Sequence, residues 1–186
     1  MIVLDLGCRT GSAVAAWQRA GDIVVGVDWE DWGQQIIGDF TDCATWDQID
    51  QLDYDFIWFS PDCSIFSLAN MRWDRNFDEE YQPISDRAKR EVAGIRKVIS
   101  KIQVRNPKLG WVMENPRALM RKMDFVKHLH RVTVSYCQYG LDRRKVTDLF
   151  GNIPHDFRPR KCRKGYSCHI RTPRGSHIGG TQDLDK

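Results

Sequence analysis

The chain has 186 residues, 41% of them apolar, enough for one ordinary domain with a sizeable core; with no run of ~18 apolar residues and a start, MIVLDLG, lacking a basic leader or cleavage site, it is expected to be soluble and cytoplasmic, with no membrane partner. Its six cysteines (Cys8, Cys43, Cys63, Cys137, Cys162, Cys168) lack the close, even spacing of a secreted disulfide scaffold, so they are read as thiols open to nucleophilic and metal-ligand roles. The net charge of +3 hides a split: residues 1–80 carry 4 Lys/Arg against 16 Asp/Glu, which argues against that half lying on a polyanion, whereas residues 81–186 carry 24 against 9.

In chain order, Ile2-Val3-Leu4 and Ile23 to Val27 are short β-branched runs, and Ser12 to Ala20 between them reads as a helix closed by Gly21. Strand, helix, strand opens a doubly wound α/β sheet. Asp55–Ser60 and Gly110–Asn115 are apolar runs stopped by Pro61 and Pro116, as expected of buried parallel strands. Ser85 is placed to cap a helix whose Val92, Ile95, Ile99 and Ile102 fall on one face. The spacing predicts a second helix over Ala118 to Leu129, then strands at Arg131–Tyr136 and Val146–Phe150 flanking a turn at Tyr139–Asp142. Past Gly151 periodicity stops, which divides the chain into a core, residues 1–151, and a basic segment, residues 152–186.

Ligands of open α/β sheets bind beyond the carboxyl ends of the strands, and four informative segments fall at such ends. Asp5-Leu-Gly7-Cys8-Arg9-Thr10-Gly11 follows the first strand, where small residues let a ligand approach the start of a helix. Asp28 and Trp29 end the second strand and suit a ribose diol and a purine; Asp39 in Gly38-Asp39-Phe40 offers an acceptor for an exocyclic amine. Pro61 fixes a bend that holds Cys63 at the mouth of the third strand. A lone thiol is more often inert packing, but Glu114 ends a neighbouring strand, and a thiol with an acid is what conjugate addition to a pyrimidine needs.

These segments, Asp5 to Gly11, Gly38-Asp39, Ser60-Pro-Asp-Cys63 with Phe66-Ser67, Glu114-Asn115-Pro116-Arg117, and Tyr139-Gly140 with Arg143-Arg144-Lys145, succeed one another as do the motifs of DNA cytosine-5 methyltransferases. Over residues 1–182 the chain resembles the short, virus-borne branch of that family. The resemblance implies a Rossmann-like class I S-adenosylmethionine-dependent methyltransferase fold. It implies that Cys63 attacks carbon 6 of cytosine, that Glu114 engages ring nitrogen 3, and that Arg143 and Lys145 form a basic pair near base and thiol. Asp5, Gly7, Cys8, Thr10, Gly11, Asp28, Trp29, Asp39, Phe40 and Pro61 would hold S-adenosyl-L-methionine. A base inside a duplex is out of reach, so the cytosine would be flipped out or single-stranded. The loop from Ser64 to Pro83, with Ser67, Arg72, Trp73 and Arg75, would close over it, and Arg117 would contact DNA.

The chain departs from the family in several places. Arg9 stands where the cofactor loop usually has glycine, and Gly7 where an aromatic is common. Asp62 replaces a proline beside the nucleophile and is expected to raise the thiol's pKa, with Arg143 and Arg144 as compensating cations. The family usually carries a separate target-recognition domain, and the sequence has 35 residues after Gly151, so specificity is expected to be low or supplied by a partner or self-association. The segment from Arg158 to His177 holds seven basic residues and no acid (Arg158, Arg160, Lys161, Arg163, Lys164, Arg171, Arg174), suited to phosphate contact. Cys162, Cys168, His169 and His177 are candidate ligands for one Zn²⁺, although their spacing matches no standard finger, and His128 and His130 read as helix-end residues. Two other readings remain open: a related carbon-5 modification of free nucleotide or RNA, and a degenerate fold that binds cofactor or DNA without catalysis.

Overall fold

The computed structural model describes residues 1–9, 12–68, 76–106, 108–163 and 165–170. Seven strands form one sheet: β1 (Ile2–Leu6), β2 (Ile23–Asp28), β3 (Ile36–Ile37), β4 (Phe56–Phe59), β5 (Gly110–Pro116), β6 (Arg131–Ser135) and β7 (Val146–Gly151), in the order β3-β2-β1-β4-β5-β7-β6. All neighbouring pairs are parallel except those made by β7, which runs antiparallel to both β5 and β6. Hence β7 delivers its amino end to the rim where the parallel strands deliver their carboxyl ends. Lys145, just before β7, thereby arrives beside Glu114, near the end of β5.

Side-chain alternation along the strands sorts the sheet into two packed faces. On one, Leu4, Leu6, Ile57, Phe59, Trp111 and Met113 form the main core with α3 (Asp86–Arg105), whose Val92, Ile95, Val98, Ile99 and Ile102 are buried. Ser85 caps that helix as its sequence predicts, its hydroxyl accepting from the Ala88 amide at 3.1 Å. On the other face, α1 (Ser12–Arg19) lays Trp17 against Phe56 and Trp58, with ring centroids 5.4 and 6.4 Å away. Val112, Val134, Leu149 and Ile153 make a smaller cluster there, with Phe157 packed against it. Ile153 and Phe157 belong to the segment after Gly151, so packing runs across that boundary; no helix or strand occurs among its described residues.

The doubly wound sheet and the helix over 86–105 match expectation. The helix expected over Ala118 to Leu129 does not form. Two short 3₁₀ turns, Leu119–Lys122 and Asp124–Val126, stand in its place, separated by an extended Met123 at φ −67°, ψ 143°. Leu119, Met120, Met123, Phe125 and Val126 are all buried, leaving too little polar face for a surface helix, and the chain follows the contour of the core instead. Two elements absent from the sequence reading are the two-residue β3 and a seven-residue helix, α2 (Cys43–Ile49).

Candidate active site

The cofactor candidates gather beyond β1 and β2. Asp5 is 1% exposed, and among the described residues neither of its carboxylate oxygens has a hydrogen-bond partner. Burial, aided by the charge of Asp28, raises its pKa to about 7. The Cys8 thiol, buried beside Asp5 and Asp28, is pushed up to about 12 by burial first and by those two charges next, so it is a poor nucleophile. Asp28 is itself buried and accepts backbone N–H bonds from Arg9 at 2.9 Å and Glu30 at 3.3 Å. Trp29, 65% exposed, stands at the rim with its faces available, whereas the buried Phe40 ring packs edge-on against Phe59 at 5.0 Å and belongs to the core beneath. Asp39 is exposed, its carboxylate accepting from the Thr41 amide at 2.7 Å. Thr10 and Gly11 lie outside the described residues.

Gly7 joins this region to the nucleophile loop. At φ +79° it occupies a conformation that favours glycine, and a Cβ there would stand 2.4 Å from the Ser60 carbonyl oxygen. The loop after β1 and the bend after β4 therefore touch backbone to backbone. Pro61 is buried directly behind that contact, its carbonyl accepting from Asn115 Nδ2 at 3.4 Å, and Phe66 accepts from the Leu119 amide at 3.0 Å. Three loops, those after β1, β4 and β5, are thus tied together around Cys63.

Cys63 is exposed at this junction. Its thiol pKa is raised: desolvation by its surroundings is the main cause, Asp62 and Glu114 add to it, and the positive charges of Lys145 and Arg9 oppose it. Glu114 and Lys145 thus lie within electrostatic reach of the sulfur. The expected effect of Asp62 is present, although its carboxylate turns towards α3. It accepts from the Ser64 amide and hydroxyl, both at 2.9 Å, and from Arg87 at 2.6 Å. Burial alone would raise the Asp62 pKa, but those bonds hold it below the usual value. The cations that act on Cys63 include Lys145 and Arg9; Arg143, expected with Arg144 in that role, is half-buried and pairs with Asp142 at 3.9 Å. Arg9, read in the sequence only as a departure, is one of the charges that lower the Cys63 thiol pKa.

Glu114 is buried, with Lys145 Nζ 3.5 Å from its Oε1. Tyr136 completes this cluster: its ring lies 5.3 Å from Lys145 Nζ, and burial together with the neighbouring Glu114 charge pushes its phenol well above the ordinary tyrosine value. Glu114 Oε1 and Asn115 Oδ1 are buried without a hydrogen-bond partner among the described residues, so the end of β5 retains open acceptors. Tyr136 and Asn115 escape sequence reasoning because nothing in their local spacing reports contact with a group 20 or more positions away.

The nucleic-acid candidates divide. Arg117, Arg160, Lys161 and Arg163 are exposed and Ser67 is half-buried. Arg160 reaches the same rim, its guanidinium 5.7 Å from the Tyr139 ring centroid. Arg72, Trp73, Arg75, Lys164, Arg171 and Arg174 lie outside the described residues. Of the zinc candidates, Cys162, Cys168 and His169 come together, joined by Cys137, which the sequence reading did not include; His177 lies outside the described residues. Spacing could not reveal Cys137, which is 25 residues before Cys162 and is brought over by the end of β6. His130 and His155 stack at 6.1 Å, away from any ligand cluster.

Comparison with protein-family models and with curated proteins gives no match. Among solved structures, the chain is similar to the Entamoeba histolytica methyltransferase EhMeth, with a TM-score of 0.54 and 12% identity over 88% of this chain and 57% of that one. It is also similar to the S. pombe Dnmt2 methyltransferase, with a TM-score of 0.53 and 18% identity over 84% and 53%. The fold is that of a class I methyltransferase. This methyltransferase fold spans little more than half the length of either structure. No helix among the described residues is long and apolar enough to cross a membrane.

Asp5 gives the methyltransferase fold a measurable signature. Its folded pKa of about 7 exceeds the unfolded value of 3.8, so the stability of the protonated carboxyl is complete below pH ~4 and is lost as pH rises through 7. The difference corresponds to about 4 kcal/mol as an upper order of magnitude. Asp5→Asn is expected to raise Tm of the ligand-free protein at pH 8 and to change it little at pH 4, measured by scanning calorimetry. Equal changes at both pH values would show that the buried charge is not costly.

Proposed function

We propose that this chain transfers a methyl group from S-adenosyl-L-methionine to carbon 5 of cytosine in DNA. The observation that carries the reading is the meeting of Cys63 with the Glu114–Lys145 pair at one rim, beside the Asp5 and Asp28 pocket edge.

The residues present fit the cofactor. Asp5 supplies two buried acceptors without partners among the described residues, complementary to an ammonium group; Gly7 lets the loop after β1 close onto Ser60 of the loop that carries Cys63; Trp29, well exposed, offers an aromatic ring to a purine. When bound, S-adenosyl-L-methionine supplies an electrophilic methyl on a sulfonium. The Cys63 thiolate adds to carbon 6 of the pyrimidine, and the Glu114 carboxyl at ring nitrogen 3 stabilises the enamine that results. Carbon 5 is then nucleophilic. After methylation, loss of the carbon-5 proton and expulsion of Cys63 restore the ring. Lys145, near both the sulfur and Oε1 of Glu114, stabilises the thiolate and keeps the carboxylate in place. The cytosine has to leave its stack, at a cost of a few kcal/mol. The exposed Arg160, Lys161 and Arg163 are offered to phosphates.

Incubation with methyl-labelled S-adenosyl-L-methionine and duplex DNA, single-stranded DNA, RNA or free cytidine nucleotides, followed by digestion and chromatography of nucleosides, tests this directly. Label is expected in 5-methylcytosine from DNA. Label confined to RNA or free nucleotide would replace the substrate assignment. The raised thiol of Cys63 favours one other reading, a cofactor- or DNA-binding module without catalysis, and absence of label from every substrate despite measurable cofactor binding would select it.

A further inference from the structure

At the far end of the same rim, three sulfurs and one imidazole nitrogen from two distant parts of the chain crowd together. Cys137 comes from the short turn Tyr136–Tyr139 after β6; Cys162, Cys168 and His169 come from the segment that docks against it. The four ligand atoms lie within 4.8 Å of one another. Cys168 Sγ is 3.7 Å from Cys137 Sγ and 3.6 Å from Cys162 Sγ, while His169 Nδ1 is 3.6 Å from Cys162 Sγ and 3.5 Å from Cys168 Sγ. These are not disulfide distances, and all the cysteines are free.

Four of the six pair distances match the edges of a metal tetrahedron, and the two others, from Cys137 to Cys162 and to His169, lie within 4.8 Å. Zinc–sulfur bonds of ~2.3 Å and a zinc–nitrogen bond of 2.0–2.1 Å at tetrahedral angles give S···S edges of about 3.8 Å and S···N edges of about 3.6 Å. A thiol cluster packed only for apolar contact has no reason to aim a ring nitrogen at two sulfurs at that spacing. We propose that Cys137, Cys162, Cys168 and His169 form a structural site for one Zn²⁺, with His169 coordinating through Nδ1. Soft thiolate ligands in a tetrahedral S₃N set favour zinc, and four protein ligands leave no open position for catalysis.

The backbone around the cluster is built to receive the segment. The Ser135 amide donates to the Arg160 carbonyl at 3.0 Å, the Cys162 amide donates to Ser135 Oγ at 3.0 Å, and the Ile170 amide donates to the Asp142 carbonyl at 2.7 Å. Residues 160–170 thus clasp the β6–β7 connection, which also carries Arg143 and Lys145. Three thiolates and a neutral imidazole around Zn²⁺ carry a net charge of −1, which the flanking Arg160, Lys161 and Arg163 offset. A region without helix or strand gains from the metal the order that it lacks from secondary structure.

The test uses the full chain, expressed with zinc and purified without chelator. Elemental analysis is expected to find about one zinc per chain, and Co²⁺ replacement to produce visible ligand-field bands with thiolate charge transfer. Cys137→Ser and Cys162→Ser are expected to lose at least tenfold in retained metal, with Cys43→Ser, an exposed thiol outside the cluster, unchanged. Should those variants fold poorly, chelation of the wild-type protein is expected to lower Tm and open residues 160–170 to protease. Trace metal in the wild type, full retention in Cys137→Ser, a Cys162–Cys168 disulfide in the purified protein, or chelation without effect would each overturn the proposal. None of these readouts involves methyl transfer, so the metal site and the proposed activity fail or stand separately.

Discussion

Cys63→Ala is expected to reduce methyl transfer to background, and Glu114→Gln to reduce it by roughly 10²–10⁴-fold, with folding of both intact. In the proposed mechanism the thiol forms and breaks a covalent bond to the base, so no neighbouring group would substitute for it; Cys8, buried and pushed up to about 12, is not a reserve nucleophile. Glu114→Gln keeps the shape but removes the acid that would meet the ring nitrogen, and leaves Lys145 without its charged partner at 3.5 Å. Because the Cys63 thiol is raised above its ordinary value, the wild-type rate is expected to climb with pH into the alkaline range. Lys145→Met, removing the leading charge that opposes this rise, should move the profile further up. Circular dichroism spectra and Tm check folding. Cys63→Ala retaining a tenth or more of wild-type activity would remove the thiol from the mechanism.

The largest effect on stability is expected at Arg121→Met, a loss of about 3–5 kcal/mol, or a fall in Tm of roughly 10 °C. Arg121 Nε and Nη2 grip the Asp148 carboxylate at 2.8 and 2.6 Å, and Thr133 Oγ1 donates to the same carboxylate at 2.6 Å. Asp148 is 1% exposed, so removing the guanidinium strands a charge away from water. Arg121→Met with Asp148→Leu should recover much of the loss, since the stranded carboxylate, rather than the missing attraction, carries the cost. Chemical denaturation measures both. If the single variant lost less than ~1 kcal/mol, the pair would rank with ordinary surface bridges. The pair also fixes the turn that follows Glu114, so the single variant is expected to lower activity with stability.

The elements that a reader of the sequence sees are those whose signal is local. The β-branched runs of β1 and β2, the apolar run of β4 and the one-sided spacing of Val92, Ile95, Ile99 and Ile102 are consequences of burial, and they are legible. Two residues of β3 carry no period, and CATWDQI is too short and mixed to announce α2. Over 118–129 the expected helix gives way to two 3₁₀ turns, because a segment buried on several sides has no polar stripe to define its turn. In the candidate site, the sequence exposes residues at strand ends, such as Cys63 and Glu114, and offers Lys145 only through the resemblance. Tyr136, and Cys137 beyond it, reach the same rim from the carboxyl end of β6, a placement that no local spacing announces. Arg9 is a different case: the residue was visible, but its influence on a sulfur 54 positions later depends on the crossing of two loops.

The contact between Gly7 and Ser60 has a mechanical meaning. With the would-be methyl of any larger residue colliding at 2.4 Å, no adjustable spacer stands between the proposed seat of the donor and that of the sulfur. On that reading, main-chain atoms set the gap across which a carbon would travel, and side-chain substitution around the rim would tune charge more than span.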